Sequence, residues 1–283
     1  MPNTAASSRS ASPGSTAIPT PEATAAAPPP ATSSAPLGVL LVTGGSRGIG
    51  AAVARQAAAA GWDVAINCGR DAASAALVAA DVRAAGRRAL TVAADVADEA
   101  AVRAMFARID AELGPLTGLV NNAGIVGPKA RLDQMDSARW RRMLEVNVLG
   151  SLLCAQLAVL RMSTRHGGAG GAIVNLSSMA ATLGSAGQYV DYAASKGAID
   201  TFTVGLAREL AAEGVRVNGV RPGIIATDIH ASGGEPDRAR LLAPSVPMQR
   251  AGSADEVAAA IVWLLSPAAS YTTGTMLDVS GGR

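Results

Sequence analysis

Short runs of apolar residues alternate with longer, Ala-rich stretches of helical composition from residue 37 to the C-terminus. The short runs have the length of strands and the longer stretches have the length of helices. The pattern predicts strands over 39–42, 64–66, 89–93, 118–120, 172–176, 215–220 and 275–279. It predicts helices over 49–60, 71–85, 98–112, 137–163, 191–212 and 254–265.

The alternation of strands and helices indicates the fold class. Such elements form right-handed βαβ units, which build a parallel sheet that is buried on both faces. The sequence therefore predicts one α/β domain over 37–283, with a doubly wound parallel sheet of about seven strands and helices on both faces.

Residues 1–36 differ from the rest of the chain. Thirty of these 36 are Ala, Pro, Ser or Thr, and eight of the 15 prolines lie here. Proline blocks the hydrogen bonds of helices and sheets, and the segment offers nothing for a core. We expect a disordered tail. The segment lacks the charged start and apolar stretch of a signal peptide, whereas its Ser-rich, acid-poor composition leaves a transit peptide as an alternative to the expected cytoplasmic location.

Composition and charge narrow the function classes. Apolar residues make up 49% of the chain, enough for a sizeable core. The net charge is +2 and no Lys/Arg-rich run occurs, so we expect no nucleic-acid partner. No apolar run approaches the length of about 18 residues that a membrane span needs. The two cysteines, Cys68 and Cys154, and the two histidines, His166 and His230, form no metal motif, so we expect neither a membrane partner nor a metal site.

A glycine-rich loop, Thr43-Gly44-Gly45-Ser46-Arg47-Gly48-Ile49-Gly50, joins the first predicted strand to the first helix. Glycines let the backbone approach a ligand, and the helix N-terminus offers free N–H groups to a pyrophosphate. The spacing of Gly44, Gly48 and Gly50 departs from the G-x-G-x-x-G fingerprint. It is no NTPase P-loop, because Ala51 and Ala52 stand where Lys and Ser or Thr belong. An ordinary glycine turn is the alternative to a phosphate site.

Tyr192 and Lys196 form a candidate acid/base pair. Their spacing places them on one face of the helix predicted over 191–212. A free phenol has a pKa of about 10, and a nearby ammonium favours the phenolate, so we expect Lys196 to lower the pKa of Tyr192. Only Lys129 and Lys196 among the 24 basic residues are lysines, which makes a chance pairing improbable. Tyr189 is the competing candidate for the acid/base tyrosine. The alternative to a catalytic pair is an incidental Tyr192/Lys196 pair at a solvent-exposed helix N-terminus.

Five features occur in a family-specific order: Thr43-Gly44-x-x-x-Gly48-x-Gly50, Asn121-Asn122-Ala123-Gly124, Asn147, Ser178 with Tyr192-x-x-x-Lys196, and Pro222-Gly223. With this combination the chain resembles the short-chain dehydrogenase/reductase family, which has a Rossmann fold, over about residues 38–283. The stretches around 188–195 and 230–236 look most like its bacterial sugar-dehydrogenase-like oxidoreductases.

The resemblance implies a hydride transfer between nicotinamide and a carbonyl or secondary alcohol. Tyr192 would be the general acid or base, and Lys196 would lower its pKa and bind the nicotinamide ribose. Ser178 would hold the substrate oxygen. Asn147 would carry a water-linked proton relay to Lys196.

The resemblance also implies a cofactor site. Asp95 would contact the adenine, with Val96 beside it, and Ile225 and Thr227 would lie near the carboxamide. The implied set is Gly44, Ser46, Arg47, Gly48, Ile49, Gly50, Arg70, Asp95, Val96, Asn121, Ala123, Gly124, Tyr192, Lys196, Pro222, Gly223, Ile225 and Thr227.

The spacing before Tyr192 departs from the family pattern. The usual gap from serine to tyrosine is thirteen residues, whereas Ser178 lies fourteen and Ser177 fifteen residues before Tyr192. We favour Ser178, with a one-residue insertion near 188–190, and keep Ser177 as the alternative.

The end of the second predicted strand points to the cofactor. An acidic residue there selects NAD, because it binds the ribose hydroxyl and repels a 2′-phosphate. Cys68 occupies the expected acidic position, and Arg47 and Arg70 can bind a phosphate. We predict NADP(H) in preference to NAD(H), with use of both as the alternative.

Residues 226–250 are expected to form a lid over a small carbonyl or alcohol substrate, with His230 and Met248 as candidate contacts. The resemblance implies a homotetramer, with the helices over 137–163 and 191–212 at one interface and 254–279 at another. A dinucleotide sensor without turnover, or an epimerase or dehydratase on the same scaffold, would be the alternative functions. The complete Ser178, Tyr192 and Lys196 set and the short C-terminal segment favour the oxidoreductase.

Overall fold

A parallel sheet of seven strands, in the order β3-β2-β1-β4-β5-β6-β7, runs through the part of the chain that the computed structural model describes. That part comprises residues 36–229 and 233–283, with Pro2 and Thr4. The strands are β1 Gly38–Val42, β2 Trp62–Cys68, β3 Ala89–Ala93, β4 Leu116–Asn121, β5 Gly171–Leu176, β6 Val215–Pro222 and β7 Met276–Val279. The tail predicted over 1–36 and the candidate contact His230 lie outside the described residues, except for Pro2, Thr4 and Pro36.

Helices lie between consecutive strands, as the alternating pattern predicts. They are α1 Gly48–Ala59, α2 Ala72–Ala84, α3 Glu99–Glu112, α4 Ser137–Leu144, α5 Gly150–Met162, α6 Ala180–Leu183, α7 Val190–Leu210, α8 Arg238–Leu242 and α9 Ala254–Leu265. The short α8 lies within residues 226–250, where the sequence predicts a lid but no helix.

Two apolar layers cover the sheet. Helices α1, α2 and α9 pack on one face, and α3, α5 and α7 pack on the other. Central strand residues such as Leu40 and Leu41 alternate between the two layers and are fully buried. This arrangement confirms the predicted Rossmann-type fold, because strands buried on both faces read as continuous apolar runs.

The second strand is longer than the predicted segment 64–66. β2 spans Trp62–Cys68, and all seven of its residues are buried. The apolar run is shorter than the strand because the polar residues Asp63 and Asn67 lie near the two ends of β2. Both side chains are buried and form hydrogen bonds. Burial of a paired polar group leaves no apolar signal in the sequence.

The long helix predicted over 137–163 contains a π-helical turn. The turn spans Glu145–Leu149, between α4 and α5, and places Asn147 inside the domain. The continuous helical run Ser137–Met162 is long and apolar enough to cross a membrane by length and composition alone, but half of its most apolar window is buried inside the domain. A core helix of a packed α/β domain has the same properties.

The strand order reverses direction between β1 and β4, because β2 follows β1 on one side and β4 pairs with β1 on the other. Ligands of open α/β sheets bind in the crevice outside the carboxyl ends of strands at such a point. Gly44, Asn122 and Ser178 follow the ends of β1, β4 and β5, so all three lie at this edge of the sheet.

Candidate active site

The glycine loop after β1 excludes side chains in two ways: by its backbone angles and by close contacts. Gly44 and Gly48 have φ angles of 61° and 53°, which disfavour residues with a Cβ. A Cβ on Gly50 would lie 2.5 Å from both the Gly44 carbonyl oxygen and Nδ2 of Asn122. The loop is therefore closed tightly on itself, with Ser46, Arg47 and Ile49 on the turn that leads into α1.

Asn122, at the end of β4, fixes this loop. Its Nδ2 donates to the carbonyl oxygens of Thr43 and Gly44 at 2.8 and 2.9 Å. In return, the Thr43 hydroxyl accepts from the backbone N–H groups of Asn122 and Ala123 at 2.9 and 3.0 Å. The sequence motif pointed to the segment, but not to Asn122 as its binding residue.

Asn67, in β2, holds the loop from the other side. Its Oδ1 accepts from the N–H of Gly44 at 3.2 Å, and its carbonyl accepts from the N–H of Gly45 at 2.7 Å. Its Nδ2 donates to the carbonyl of Ala94 at 3.0 Å. Sequence reasoning missed Asn67, because a polar residue in a strand carries no sign of its partners.

The first turn of α1 keeps its N–H groups free of side-chain caps. The Ncap residue is Arg47, and it makes no capping bond. By contrast, Asp71, Asp98 and Asp136 cap α2, α3 and α4. Free N–H groups beside a close backbone turn fit the pyrophosphate of a dinucleotide.

The end of β2 carries two exposed arginines and a buried thiol. Arg47 and Arg70 are exposed, whereas Cys68 is 1% exposed and burial raises the pKa of its thiol. Cys68, which occupies the position expected for an acidic residue, has its side chain in the apolar layer. No acidic side chain replaces it at the strand end, where Gly69 and Arg70 follow.

Asp95 is engaged by protein groups. Its Oδ1 accepts from the N–H of Ala97 at 3.0 Å, and its Oδ2 accepts from Arg142 at 2.6 Å. Burial would raise the pKa of Asp95, but these bonds and the charges of Arg142 and Arg70 hold it below its usual value. Val96 is 5% exposed and packs against Gly150, so its side chain is part of the core.

Tyr192, Lys196 and Ser178 meet at the mouth of the crevice. Lys196 lies one turn after Tyr192 in α7, with Nζ 5.7 Å from the centre of the phenol ring. Nζ also donates to the carbonyl of Leu176, at the end of β5, at 2.7 Å. The side chain of Ser178 hydrogen-bonds to Tyr192. The three groups therefore converge on one point.

The two adjacent serines have different surroundings. The Ser177 hydroxyl is buried and donates to the carbonyl of Lys196 at 3.2 Å. Ser178 is only partly buried, and its hydroxyl accepts from the N–H of Ala180 at 3.1 Å. Ser177 thus binds the backbone of α7, while the partly exposed Ser178 lies beside Tyr192, where it could contact a substrate.

The pKa of Tyr192 moves in the opposite direction from the one expected. Burial raises it, and the hydrogen bond with Ser178 only partly offsets that effect. Burial also lowers the pKa of Lys196, to about 8, against the effect of the nearby Asp200 charge. Lys196 is therefore a full counter-charge only at pH values well below 8.

Asn147 lies in the π-helical turn, close to Lys196. Its Nδ2 donates to the carbonyl of Ile125 and the hydroxyl of Ser195, at 3.0 and 3.1 Å. A Cβ on Gly124 would lie 3.4 Å from Asn147 Oδ1 and 3.7 Å from Lys196 Nζ. Because Gly124 has no side chain, the backbone can pass beside Asn147 and Lys196. The π-helical turn that holds Asn147 is a feature that is frequent at functional sites.

The remaining implied cofactor residues divide into two groups. Thr227 lies 3.5 Å from the place of a Cβ on Gly48, and Gly223 follows Pro222 at the end of β6. These residues border the crevice. The side chains of Asn121 and Ile225 are instead buried, with the amide of Asn121 bonded to Asn175 and Ser151.

Tyr189 is bound to the segment around Glu235 and Arg238, at the start of α8. Its hydroxyl donates to Glu235 at 2.7 Å, and Arg238 donates to Glu235 at 2.7 Å and to Gln188 at 2.8 Å. Burial and the Glu235 contact raise the pKa of Tyr189 to about 12. Tyr189 is therefore a structural partner of this segment and a poor proton donor or acceptor.

Two cavities flank this region. One of about 380 Å³ lies between Thr227 and α8. The other, of about 550 Å³, lies against the C-terminus and includes the candidate contact Met248. Among the described residues, no group of three or more His, Cys, Asp or Glu side chains is placed to hold a metal ion.

Comparison with known proteins adds independent evidence. A family model described as enoyl-(acyl carrier protein) reductase matches residues 44–283. The chain is 52% identical to an uncharacterized oxidoreductase of Escherichia coli, over 87% of this chain and 100% of the relative. It is 43% identical to a cis-4-hydroxycyclohexanecarboxylate dehydrogenase of Sinomonas cyclohexanicum, over 86% and 95%. A short-chain dehydrogenase of Burkholderia cenocepacia, solved in complex with NADP, superposes with a TM-score of 0.79 at 39% identity, over 86% of this chain and 96% of that one.

Proposed function

Since the chain belongs to the short-chain dehydrogenase/reductase family of NAD(P)-dependent oxidoreductases, we propose that it interconverts a carbonyl compound and a secondary alcohol with NADP(H), using Tyr192 as the general acid or base. The observation that carries the proposal is the convergence of Tyr192, Ser178 and Lys196 at the carboxyl end of β5. The dinucleotide, when bound, supplies or accepts the hydride.

Each side chain of the site has a distinct task in this proposal. Tyr192 gives a proton to the carbonyl oxygen in reduction and removes it in oxidation. Ser178 donates a hydrogen bond to the same oxygen and so fixes the substrate. Lys196, anchored on the Leu176 carbonyl, holds positive charge below Tyr192 and favours the phenolate when the proton leaves.

The proton path would continue through Asn147. Its side chain is held by Ile125 and Ser195, which fixes the turn near Lys196. Its main-chain carbonyl accepts a bond of 3.3 Å from the Ser151 hydroxyl, and in this proposal it would also accept from a water bound to Lys196.

The preference for NADP(H) is supported by charge. Arg47 and Arg70 are the exposed cations at the β1 and β2 ends of the crevice, and arginine binds phosphate through paired hydrogen bonds. The nearest carboxylate on this segment, Asp71, already accepts from the N–H of Ser74 at 2.9 Å. The NADP complex of the Burkholderia relative agrees with this choice.

We propose a small carbonyl compound or alcohol as the substrate. The segment with Glu235 and Arg238, held on Tyr189 and Gln188, would cover it and limit its size. The name of the Sinomonas relative suggests a cyclic hydroxy acid, and the corresponding ketone is a specific first probe.

A homotetramer in the cytoplasm completes the proposal. Leu144, Leu149 and Leu160 are about half exposed along α4, the π-helical turn and α5, as is Trp263 on α9. Apolar side chains of this size on two helical surfaces favour contacts between copies. The free thiols of Cys68 and Cys154 fit a reducing compartment. Light scattering that gives a monomer at micromolar concentration would contradict the assembly.

The function is tested by NADPH consumption against a panel of ketones, aldehydes, diketones, 3-oxoacyl thioesters and 4-oxocyclohexanecarboxylate. We expect turnover of at least one compound, with a higher kcat/KM for NADPH than for NADH. Tight NADPH binding without any turnover would favour the dinucleotide sensor instead.

A further inference from the structure

A buried ion pair joins α4 to the residue that precedes Tyr192. Nε of Arg139 donates to Oδ2 of Asp191 at 2.7 Å, and Nη2 donates to Oδ1 at 3.1 Å. Two parallel bonds between a guanidinium and a carboxylate fix orientation as well as distance. The side chains of Arg139 and Asp191 are 16% and 4% exposed, so water competes little with the pair.

The same guanidinium binds the loop between β4 and α4. Nη1 of Arg139 donates to the carbonyl of Pro128 at 2.6 Å. Gly127 lies directly over the guanidinium, where a Cβ would come within 2.8 Å of Cζ. Arg139 therefore holds this loop and the start of α7 at the same time.

Both segments held by Arg139 belong to the proposed active site. Asp191 is adjacent to Tyr192 in the chain, and the loop starts at Gly124, beside Lys196 Nζ. Arg139 itself is fixed, because its N–H is capped by Asp136 at 2.7 Å. The loop is also tied to the segment just before α7 by the bond from the N–H of Ala130 to the carbonyl of Gln188 at 3.0 Å.

The energetics of a buried ion pair such as Arg139–Asp191 indicate a role beyond stability. Two charges lose their hydration when they are buried, and this loss cancels most of their attraction. Apolar residues of similar volume therefore often stabilise a fold as much as a buried ion pair does. What an apolar pair cannot supply is the fixed geometry of three hydrogen bonds to two separate segments. That geometry has a use where a reacting group must be placed accurately.

We propose that Arg139 is a positioning residue for Tyr192: through Asp191 and Pro128, it sets where the Tyr192 hydroxyl lies relative to Ser178 and Lys196. The inference rests on the proposed function, because it takes Tyr192 as the acid. Arg139 touches neither Tyr192 nor the substrate side of Ser178 among the bonds seen, so its effect is indirect.

The test compares Arg139→Met, Arg139→Lys and Asp191→Asn with the parent enzyme, using NADPH and the best ketone of the panel. Lysine keeps the charge but not the fork of donors. Arg161→Met is the matched control, since Arg161 makes a similar forked pair with Asp110, at 2.6 and 2.9 Å, between α5 and α3. Thermal unfolding gives the folded fraction of each variant.

We expect kcat of Arg139→Met and Asp191→Asn to fall about a hundredfold, as for a misplacement of about 1 Å. The Kd for NADPH and the pH at which activity falls should stay unchanged, because the pair acts through geometry. Arg139→Lys should recover part of the loss, and Arg161→Met should keep the parent kcat. A parent-like kcat in Arg139→Met, or a loss proportional only to unfolded protein, overturns the proposal.

Hydrogen exchange separates this inference from the proposed function. In Arg139→Met, amides of residues 124–130 and 188–195 should exchange faster, while those of the sheet keep the parent rates. This readout requires no turnover, so it decides the inference even if the parent reduces none of the compounds. Unchanged exchange in both segments refutes the positioning role. Turnover by the parent that survives in Tyr192→Phe refutes the proposed function.

Discussion

The side-chain amide of Asn122 lies against Gly50, so that a Cβ on Gly50 would come within 2.5 Å of Nδ2. The same amide donates to the carbonyls of Thr43 and Gly44. One side chain from β4 thus holds the loop between β1 and α1 in the form that leaves the α1 N–H groups free. This contact joins the glycine loop to β4, on the other side of the point where the strand order reverses.

Gly50→Ala should therefore break the loop. The added methyl group has backbone on one side and Asn122 on the other, so we expect a loss of about 1–3 kcal/mol in the free energy of unfolding. NADPH affinity should fall about tenfold or more as the loop opens. Gly205→Ala in α7 is the control, since nothing lies within 4 Å of its Cβ position. Titration of NADPH by fluorescence measures the effect, and equal affinities of parent and Gly50→Ala would contradict it.

Arg47 and Arg70 should determine the preference for NADP(H). Each can supply a charge-assisted hydrogen bond to the 2′-phosphate, and loss of one weakens binding about tenfold to a hundredfold. We expect Arg47→Ala and Arg70→Ala to raise the KM for NADPH by this factor and to leave the KM for NADH nearly constant. Arg55→Ala, which removes an exposed partner of Asp81, is the control. An equal rise in KM for NADPH and NADH would mean that the two arginines do not bind the 2′-phosphate.

Asp200 should set the alkaline limit of activity. It lies one turn after Lys196, and its negative charge raises the pKa of Lys196, while burial lowers that pKa to about 8 overall. Lys196 is cationic below its pKa, so kcat/KM for reduction should fall as the pH rises through about 8. In Asp200→Asn the fall should begin at lower pH, with severalfold less activity at pH 8. Asp81→Asn serves as the control, and a profile of Asp200→Asn that stays in place would contradict this role.

Asp63, the carboxylate of β2, should contribute far more to stability than an exposed paired carboxylate such as Asp81. It is 2% exposed and is bound by Arg87 at 2.8 Å and Arg88 at 2.7 Å. Removing one partner of a buried pair costs about 3–5 kcal/mol, whereas an exposed pair such as Arg55–Asp81 contributes about 0–1 kcal/mol. Urea unfolding of Asp63→Ala and Asp81→Ala measures the difference, and similar losses would contradict it.

The pH dependence of that contribution follows from the same bonds. Burial would raise the pKa of Asp63, but the bonds from Arg88 and Arg87 hold it below the usual 3.8. A carboxyl with a depressed pKa stabilises the fold above its unfolded value, and this contribution disappears as the pH falls through the folded value. The gap in stability between parent and Asp63→Ala should therefore narrow below about pH 4.

The alternation of elements and the order of motifs were enough to predict the fold and most of the crevice. Apolar runs mark β1 and β5 because both strands are covered on two faces. Gly44, Gly50, Tyr192 and Lys196 could be identified since their residue types are rare or constrained in that order. Each of these signals is local in the sequence.

What the sequence did not reveal depends on partners far along the chain. Asn67 and Asn122 look like ordinary polar residues until β2 and β4 are placed beside the glycine loop. The π-helical turn at Asn147 interrupts no apolar pattern. The expected drop in the pKa of Tyr192 was wrong because burial, which has no local signature, raises that pKa by more than the hydrogen bond with Ser178 lowers it.

The most direct test of the account is the kcat of Tyr192→Phe, measured beside Tyr271→Phe, whose ring is fully exposed. Removal of the proton donor should lower kcat by about 10²–10⁴-fold. The Kd for NADPH should stay within about twofold, since the variant keeps the ring and the Lys196 anchor. Tyr271→Phe should match the parent. A Tyr192→Phe variant that folds, binds NADPH and keeps the parent kcat would show that Tyr192 is not the acid of this enzyme.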